Sequence, residues 1–509
     1  KTKNPSSIRL ASLGNDREDV DGLGRLMWEG SDAATILGLF TQLEGASVPR
    51  VLRPAVHHLM VARAVPPQGF VDLAEEMISR RLDWLAAQGA SADLAELIRQ
   101  LPEDDQWQAR NEWLALHHLL TRNDEDACRV ASKKVMLTLE PLWHQINAFC
   151  AIVSGDSMKA SFAIDILEDS GVDDPVYFDL MRQLTGDGSS VEIDQSNLSM
   201  LHLVLMDSAR ITIEPEALAN VPASYNGSIQ SLRYLSPDAN RLLAARKFGR
   251  ISSADLTASW ALVSTVDIAS AEALTRLRFG GDADTVALAR LNAWQAISSE
   301  KDDSTRAQLA LEALVADHGY TGDESLGLWL DYVEGGANDL ALERKIGPLL
   351  GFAEAPSKVL MNDQALAWHG LLELSPRQVP ASMVNTAEAH DAITLLAAIG
   401  QSLEGQDWLA LDGTTARLAG GTSLPYATLM SIEAAAAKGM AAETLLRTTV
   451  ALNGMDLADL TRDDAARLAA ALQRAGLEQT ARGLAKSILM SWGLKRHFAG
   501  AADPADETS

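Results

Sequence analysis

From about Val20 onward, apolar positions recur at helical spacing, and the stretches that carry them are separated by two to six polar or breaking residues. Phe70–Gln88 places Val71, Ala74, Met77, Ile78, Leu82 and Leu85 on one face, and Gly89 follows as a stop. Ser91 stands where an N-cap belongs before Ala92–Leu101, which Pro102 ends. His57–Ala64, Gln106–Leu120, Asp463–Ala475 and Glu478–Trp492 continue the rhythm, and Lys495-Arg496-His497 suits a helix C-terminus. Gly-Asp joints stand at Gly155-Asp156, Gly186-Asp187, Gly281-Asp282 and Gly322-Asp323. Such a pair ends one helix and caps the next. Period-2 alternation is hard to find, so the pattern predicts an all-α chain.

Antiparallel hairpins in succession predict an α-solenoid, TPR-like but with degenerate repeats. The tetratricopeptide residues are not kept at that repeat's spacing. One echo is His57-His58-Leu59 against His117-His118-Leu119, 60 residues later. The predicted organisation is a flexible segment over 1–19, a helical-repeat region over 20–185, an irregular linker over 186–230, a second helical-repeat region over 231–500 and a disordered tail over 501–509. Within the linker, Thr185–Asn197 and Val221–Gly227 read as polar loops and Ile211–Ile213 as one extended turn. Softer breaks stand at Gly351–Ser357 and Ala419–Pro425.

Charge narrows the partners. The 509 residues carry a formal net charge of −26, and the sequence pI is about 4.7. The acid is spread along the length, which disfavours nucleic acid and anionic membrane surfaces and favours protein partners with basic patches. No apolar run is long enough to span a membrane. The chain begins Lys1-Thr2-Lys3, which reads either as the product of a removed signal or anchor segment or as the interior of a longer product.

Candidate chemistry is sparse. The sequence holds no H-E-x-x-H, no phosphate-binding glycine loop, no G-x-G-x-x-G and no G-x-S-x-G elbow, so no catalytic, cofactor-binding or metal site is assigned. Adjacent histidines on a helix point about 100° apart, so His57 with His58, or His117 with His118, are read as structural. Glu324-Ser325 is similar to the Glu-Ser pair of lytic transglycosylases, but the segments that complete that active site are missing. The eleven tryptophans occur about once per hairpin and read mainly as packing between hairpins. Trp107 and Trp113 are candidate partner anchors, because Asp104, Asp105, Gln106 and Arg110 keep their turn polar.

Cys128 and Cys150 are the two cysteines. They are equidistant from the turn of a predicted hairpin, Asp124–Val135 with Pro141–Val153, so they share a height. Each falls on an apolar face, Cys128 with Ala131 and Val135, Cys150 with Ile146, Phe149 and Val153. Packed helices of this kind bring Cα atoms into disulfide range, and two buried free thiols would produce the same pattern. A bond would place the chain in an oxidising compartment.

The segment Leu119–Gly155 (LLTRNDEDACRV through LWHQINAFCAIVSG), with Met181–Gly188 and Ser231–Trp260, resembles a poorly characterised family of alphaproteobacterial exported helical-repeat proteins. Some of these carry the label "antifreeze glycopeptide polyprotein"; no Thr-rich ice-binding repeat exists here to support that label. The resemblance implies an envelope location and a bonded Cys128–Cys150 pair, and it carries over no catalytic residue. The resulting expectation is a non-enzymatic periplasmic scaffold or adaptor, set in a large envelope machine such as the flagellar motor or a secretion apparatus. The alternatives are a peptidoglycan-binding accessory protein or cell-wall enzyme with a helical superhelix, and a cytoplasmic solenoid adaptor.

Overall fold

The computed structural model describes residues 9–45, 48–102, 104–186, 192–246, 263, 270–279, 283–321, 329, 387–400 and 421–499. Gly281-Asp282, Gly322-Asp323, Glu324-Ser325, Gly351–Ser357, the 501–509 tail, Trp260, Trp368 and Trp408 lie outside them. The described residues form 20 α-helices and no strand, so the described part of the chain is all-α.

In chain order the helices begin with α1 (Ala33–Leu43), α2 (Arg53–Val61), α3 (Phe70–Ala87), α4 (Ser91–Ile98), α5 (Gln108–Leu120), α6 (Asp124–Lys134) and α7 (Pro141–Val153). Next come α8 (Ser157–Asp169), α9 (Pro175–Thr185), α10 (Met200–Ala209), α11 (Asn226–Ile229), α12 (Pro237–Ala245), α13 (Ser270–Phe279), α14 (Ala283–Ser298) and α15 (Asp303–Thr321). The remainder are α16 (Ala387–Ala398), α17 (Tyr426–Ala437), α18 (Ala441–Ala451), α19 (Arg462–Arg474) and α20 (Glu478–Ala499). The joints do what their residues dictate. Gly155 takes φ +80°, and the Asp156 carboxylate accepts from the Lys159 N–H at 3.0 Å, so one helix stops and the next starts within two residues. Ser91 differs from its expected role. Helix α4 starts at Ser91 itself, and the hydroxyl donates to the Ser224 carbonyl at 2.6 Å, because a buried hydroxyl is satisfied by the nearest available acceptor.

The chain divides into two compact units, Lys1–Asn15 with Arg81–Arg246, and Asp16–Arg80 with Lys247–Ser509. In the first unit each helix from α4 to α10 packs on the next. A linear solenoid touches only its neighbours, whereas here α10 also packs back on α5. Helix α10 lies inside the stretch read as an irregular linker. Its run Met200 to Asp207 is buried on every side, so no amphipathic period marks it in the sequence. Ile213 and Leu235 then form an isolated bridge, with the Ile213 N–H donating to Tyr234 O at 2.8 Å. Residues 9–15 are held in the same unit. Leu10 and Leu13 are buried, and Gln100 accepts from the Gly14 N–H at 3.1 Å and donates to Asn15 Oδ1 at 3.1 Å.

The second unit joins residues far apart in sequence. Helices α13, α14 and α15 pack together around Arg290 and Asp317, whose buried ion pair spans 2.5 Å. Elsewhere in the unit, α17 and α18 form a hairpin, α19 and α20 another, and α1 and α2 pack on α18. The Asp21 carboxylate caps α20, accepting from Gln479 N at 2.7 Å and Thr480 N at 2.6 Å. Beside it Gly22 sits at φ +78°, and a Cβ there would lie 2.7 Å from the Gly476 carbonyl oxygen. Only glycine fits that approach.

Candidate functional site

The cysteine hairpin is the most fully built feature of the first unit. Helix α6 starts with three acids, Asp124, Glu125 and Asp126, and ends with Lys133 and Lys134, so both termini complement the helix dipole. Pro141 opens α7 at a position where its missing N–H costs nothing. The two helices pack through Ala127 and Ala131 on one side and Ile146 and Phe149 on the other. Small residues on α6 allow the backbones close, and Cys128 meets Cys150 with Cα atoms 5.6 Å apart and sulfurs at bonding distance, 1.97 Å. Both cysteines are half-buried rather than enclosed, Val135 is half-buried and Val153 is 46% exposed. The pair therefore stands at the edge of the shared apolar seam.

The next helix departs from the ordinary pattern of one apolar stripe per surface helix. Helix α8 buries Ala160, Ile164 and Leu167 against its neighbours. It also carries a second apolar stripe, Met158, Phe162 and Ile166, which are 86%, 67% and 51% exposed. Spacing of four residues puts these three in one row on the outer side. The α6–α7 turn adds Met136, Leu137 and Leu139, all strongly exposed. Because α6, α7 and α8 run antiparallel in succession, this turn sits at the Ile166 end of the row and exposed Val153 at the Met158 end. The row and the turn each leave large apolar side chains in solvent, the kind of exposure that marks interaction sites. The cysteine spacing pointed to this hairpin, but the stripe on α8 was not singled out in the sequence. Its signal is the double apolar period in SMKASFAIDILED.

Trp107 and Trp113 are placed otherwise. Trp107 is 4% exposed, in the short turn before α5. Trp113 is half-buried, its Nε1–H donates to Ser224 Oγ at 3.0 Å, and its ring stacks on His117 at 5.1 Å and on Tyr225 at 5.4 Å. Trp113 thus joins α5 to the 223–229 segment. His117 Nδ1 lies 2.8 Å from Ser228 Oγ, the contact a serine nucleophile requires of its base. Ser228 is 1% exposed, however, and burial, then the neighbouring charges of His118 and Arg99, push His117 down to about 4. This hydroxyl–imidazole pair fastens a loop and has no access for a substrate.

His58 and His118 are also tied down. His58 donates from Nε2 to the Leu23 carbonyl at 2.9 Å, and His118 Nδ1 accepts from the Asn123 amide at 3.2 Å. Burial lowers the proton affinity of both. His57 lies in the second unit and His117 in the first. Among the described residues no group of three or more His, Cys, Asp or Glu side chains is placed to hold a metal ion. A further polar hub, not anticipated, ties α7, α9 and α10. Asp174 caps α9 through the Tyr177 N–H at 3.1 Å and accepts from Gln145 at 3.1 Å and from His202 Nε2 at 3.0 Å. His202 Nδ1 in turn accepts the Ser199 N–H, which fixes the tautomer. Burial pushes the Asp174 carboxyl up, but the hydrogen bonds from His202, Tyr177 and Gln145 outweigh it and hold the carboxyl below its usual range. Asp before Pro175 is the one local sign of this hub.

No described helix is long and apolar enough to cross a membrane. Comparison with protein-family models, curated proteins and solved structures finds no match to this chain.

Proposed function

We propose that this chain is a non-enzymatic scaffold or adaptor that holds protein partners on a solenoid-like array of helical hairpins, in the periplasm. The observation that carries this reading is the exposed apolar row on α8, continued by the α6–α7 turn, on a chain of net charge −26. So acidic a chain suits partners with basic patches. The Cys128–Cys150 pair at bonding distance supports an oxidising compartment. The run of neighbour-to-neighbour packing from α4 to α10 supports the array, with α10 closing back on α5. A large multi-protein envelope assembly is the setting such a part fits.

The test is parallel binding of the native protein to purified peptidoglycan and to envelope extract. A stoichiometric complex with a defined envelope protein, reconstituted from purified components, is the expected result. Saturable binding to glycan with no protein partner would replace the scaffold with a wall-binding accessory role. Non-reducing mass spectrometry of the protein from its native compartment is expected to show one intramolecular disulfide, and two free thiols would move the chain to the cytoplasm.

A further inference from the structure

The row Met158, Phe162 and Ile166 has charges arranged on its two sides. At about 100° per residue, Asp165 and Asp169 fall beside the row on one side and Lys159 on the other. All three are exposed, and neither aspartate makes an ion pair with any described residue. Glu168, farther round the helix, is engaged with Arg182 on α9. The outer face of α8 is therefore an apolar ridge with an acidic flank, and no described charge neutralises that flank.

We propose that this face receives an amphipathic helix of another protein, one whose apolar ridge carries Lys or Arg along the flank that meets Asp165 and Asp169. The inference rests on the scaffold reading and specifies its contact surface. A row at i, i+4 and i+8 is a ridge of the kind that packs into the matching groove between the side-chain rows of a second helix. Beyond the Ile166 end of the ridge lies the turn that carries Met136, Leu137 and Leu139. Charge selects the occupant. A second copy docking antiparallel across a two-fold axis would set Asp165 and Asp169 against their equivalents, and in either orientation the two chains carry a net charge of −26 each. Anionic lipid would face the same carboxylates, with Lys159 as the one cation of α8 and Lys133 and Lys134 near the turn, whereas interfacial helices carry Lys and Arg along their length. A basic-flanked helix satisfies both the apolar row and the unpaired carboxylates.

The probe is a synthetic amphipathic peptide with a leucine ridge and lysine flanks, set against the same peptide with glutamate flanks. Both are titrated into the full chain. The lysine peptide is expected to bind saturably, and Phe162→Asp to weaken it about tenfold or more, as loss of a central aromatic anchor does. Asp165→Lys with Asp169→Lys is expected to reverse the preference toward the glutamate peptide. All three side chains are exposed, so the variants keep the fold. The proposal is overturned by equal binding of both peptides or by a Phe162→Asp chain that binds unchanged. It is equally overturned by a Phe162-dependent dimer in sedimentation velocity, or by Phe162-dependent binding to phosphatidylcholine vesicles with or without phosphatidylglycerol. Repeating the envelope-extract experiment separates the two readings. A defined partner retained equally by wild type and Phe162→Asp leaves the scaffold standing and removes this surface from it; a partner retained by neither removes both.

Discussion

The two units are fastened in different ways. The first is assembled from consecutive hairpins, and its covalent link, Cys128 to Cys150, spans 22 residues between neighbouring helices. The second brings residues 21–52 onto α18 and α20, with Asp21 and Thr480 in contact across a separation of 459. Its fastener is a backbone approach: Gly22 against the Gly476 carbonyl, and a carboxylate on the first N–H groups of α20. Local links tolerate loss of a neighbour, because each hairpin keeps its own packing. A closure between distant segments is all or nothing, since the entropy of bringing the segments together is offset only when the whole contact forms. The consecutive hairpins over 124–169 should therefore loosen locally, whereas the second unit should fail as a whole.

Gly22→Ala is the most severe way to break this contrast. The new Cβ meets a carbonyl oxygen at 2.7 Å, in a φ +78° backbone that side chains resist. A loss of about 2–4 kcal/mol is expected from strain and overpacking together. Hydrogen exchange should show protection falling along α18 and α20 together while α6 and α7 keep theirs. Simultaneous loss in α6 and α7 would mean that the two units share one cooperative transition.

Removing the covalent link attacks the other side. Cys128→Ser with Cys150→Ser is expected to cost about 3 kcal/mol in the loop-entropy account. Exchange should quicken over 124–153 and leave α18 to α20 unchanged. The α8 row would then lie beside a looser hairpin, so lysine-peptide affinity is expected to fall modestly in the same variant. Unchanged exchange over 124–153 would show that Ala127, Ala131, Ile146 and Phe149 hold the hairpin without the cysteines.

The same contrast explains what could be read from the chain. Hairpins were legible because their signals are local. Phe70–Gln88 was expected and Phe70–Ala87 is found; Asp463–Ala475 was expected and Arg462–Arg474 is found. Gly155-Asp156 forms the joint its residues suggest, and equal distance from one turn places the cysteines together. The closure of the second unit leaves no such mark, since Asp21-Gly22 is an ordinary turn dipeptide until Gly476 and Gln479 arrive from the far end. Helix α10 was hidden for the opposite reason: burial on every side erases the period that identifies a surface helix. The row on α8 was hidden because two apolar stripes on one short helix blur into general hydrophobicity, and only packing tells which stripe is left outside.

Asp21→Asn tests the closure more gently. The amide keeps an acceptor for one N–H of α20 but loses the charge and the second acceptor, at a cost of about 1–2 kcal/mol. Fraying is expected at 478–481 and around residue 22, with the thermal midpoint of the second unit lowered less than by Gly22→Ala. An Asn variant as damaging as the Ala variant would shift the weight of the closure from steric fit to charge.

Acid offers the smallest effect and the one that bears chiefly on the first unit. His117 is pushed down to about 4 from the ordinary 6.5, with its Nδ1 against Ser228 and its ring stacked on Trp113. Between those two values the unfolded chain takes up a proton that the folded unit refuses, so stability falls as the pH drops from about 6.5 to 4 and then levels off. His118 is lowered as well and adds in the same direction. The Asp174 carboxyl contributes at a different pH: its depressed value stabilises the fold at neutral pH, and that contribution fades only as the pH falls below the ordinary 3.8. Because the His117 ring is partly solvated, the loss expected from it is on the order of 1 kcal/mol rather than the full difference. His117→Gln keeps a polar partner for Ser228 and cannot take the proton. Its denaturant midpoint should therefore be slightly lower at pH 7 and fall less steeply toward pH 4.5 than that of the wild type. Parallel slopes for the two proteins would assign the acid sensitivity to His118, or to His58 in the second unit, and exchange at pH 5 over 108–120 against 53–61 would decide between them.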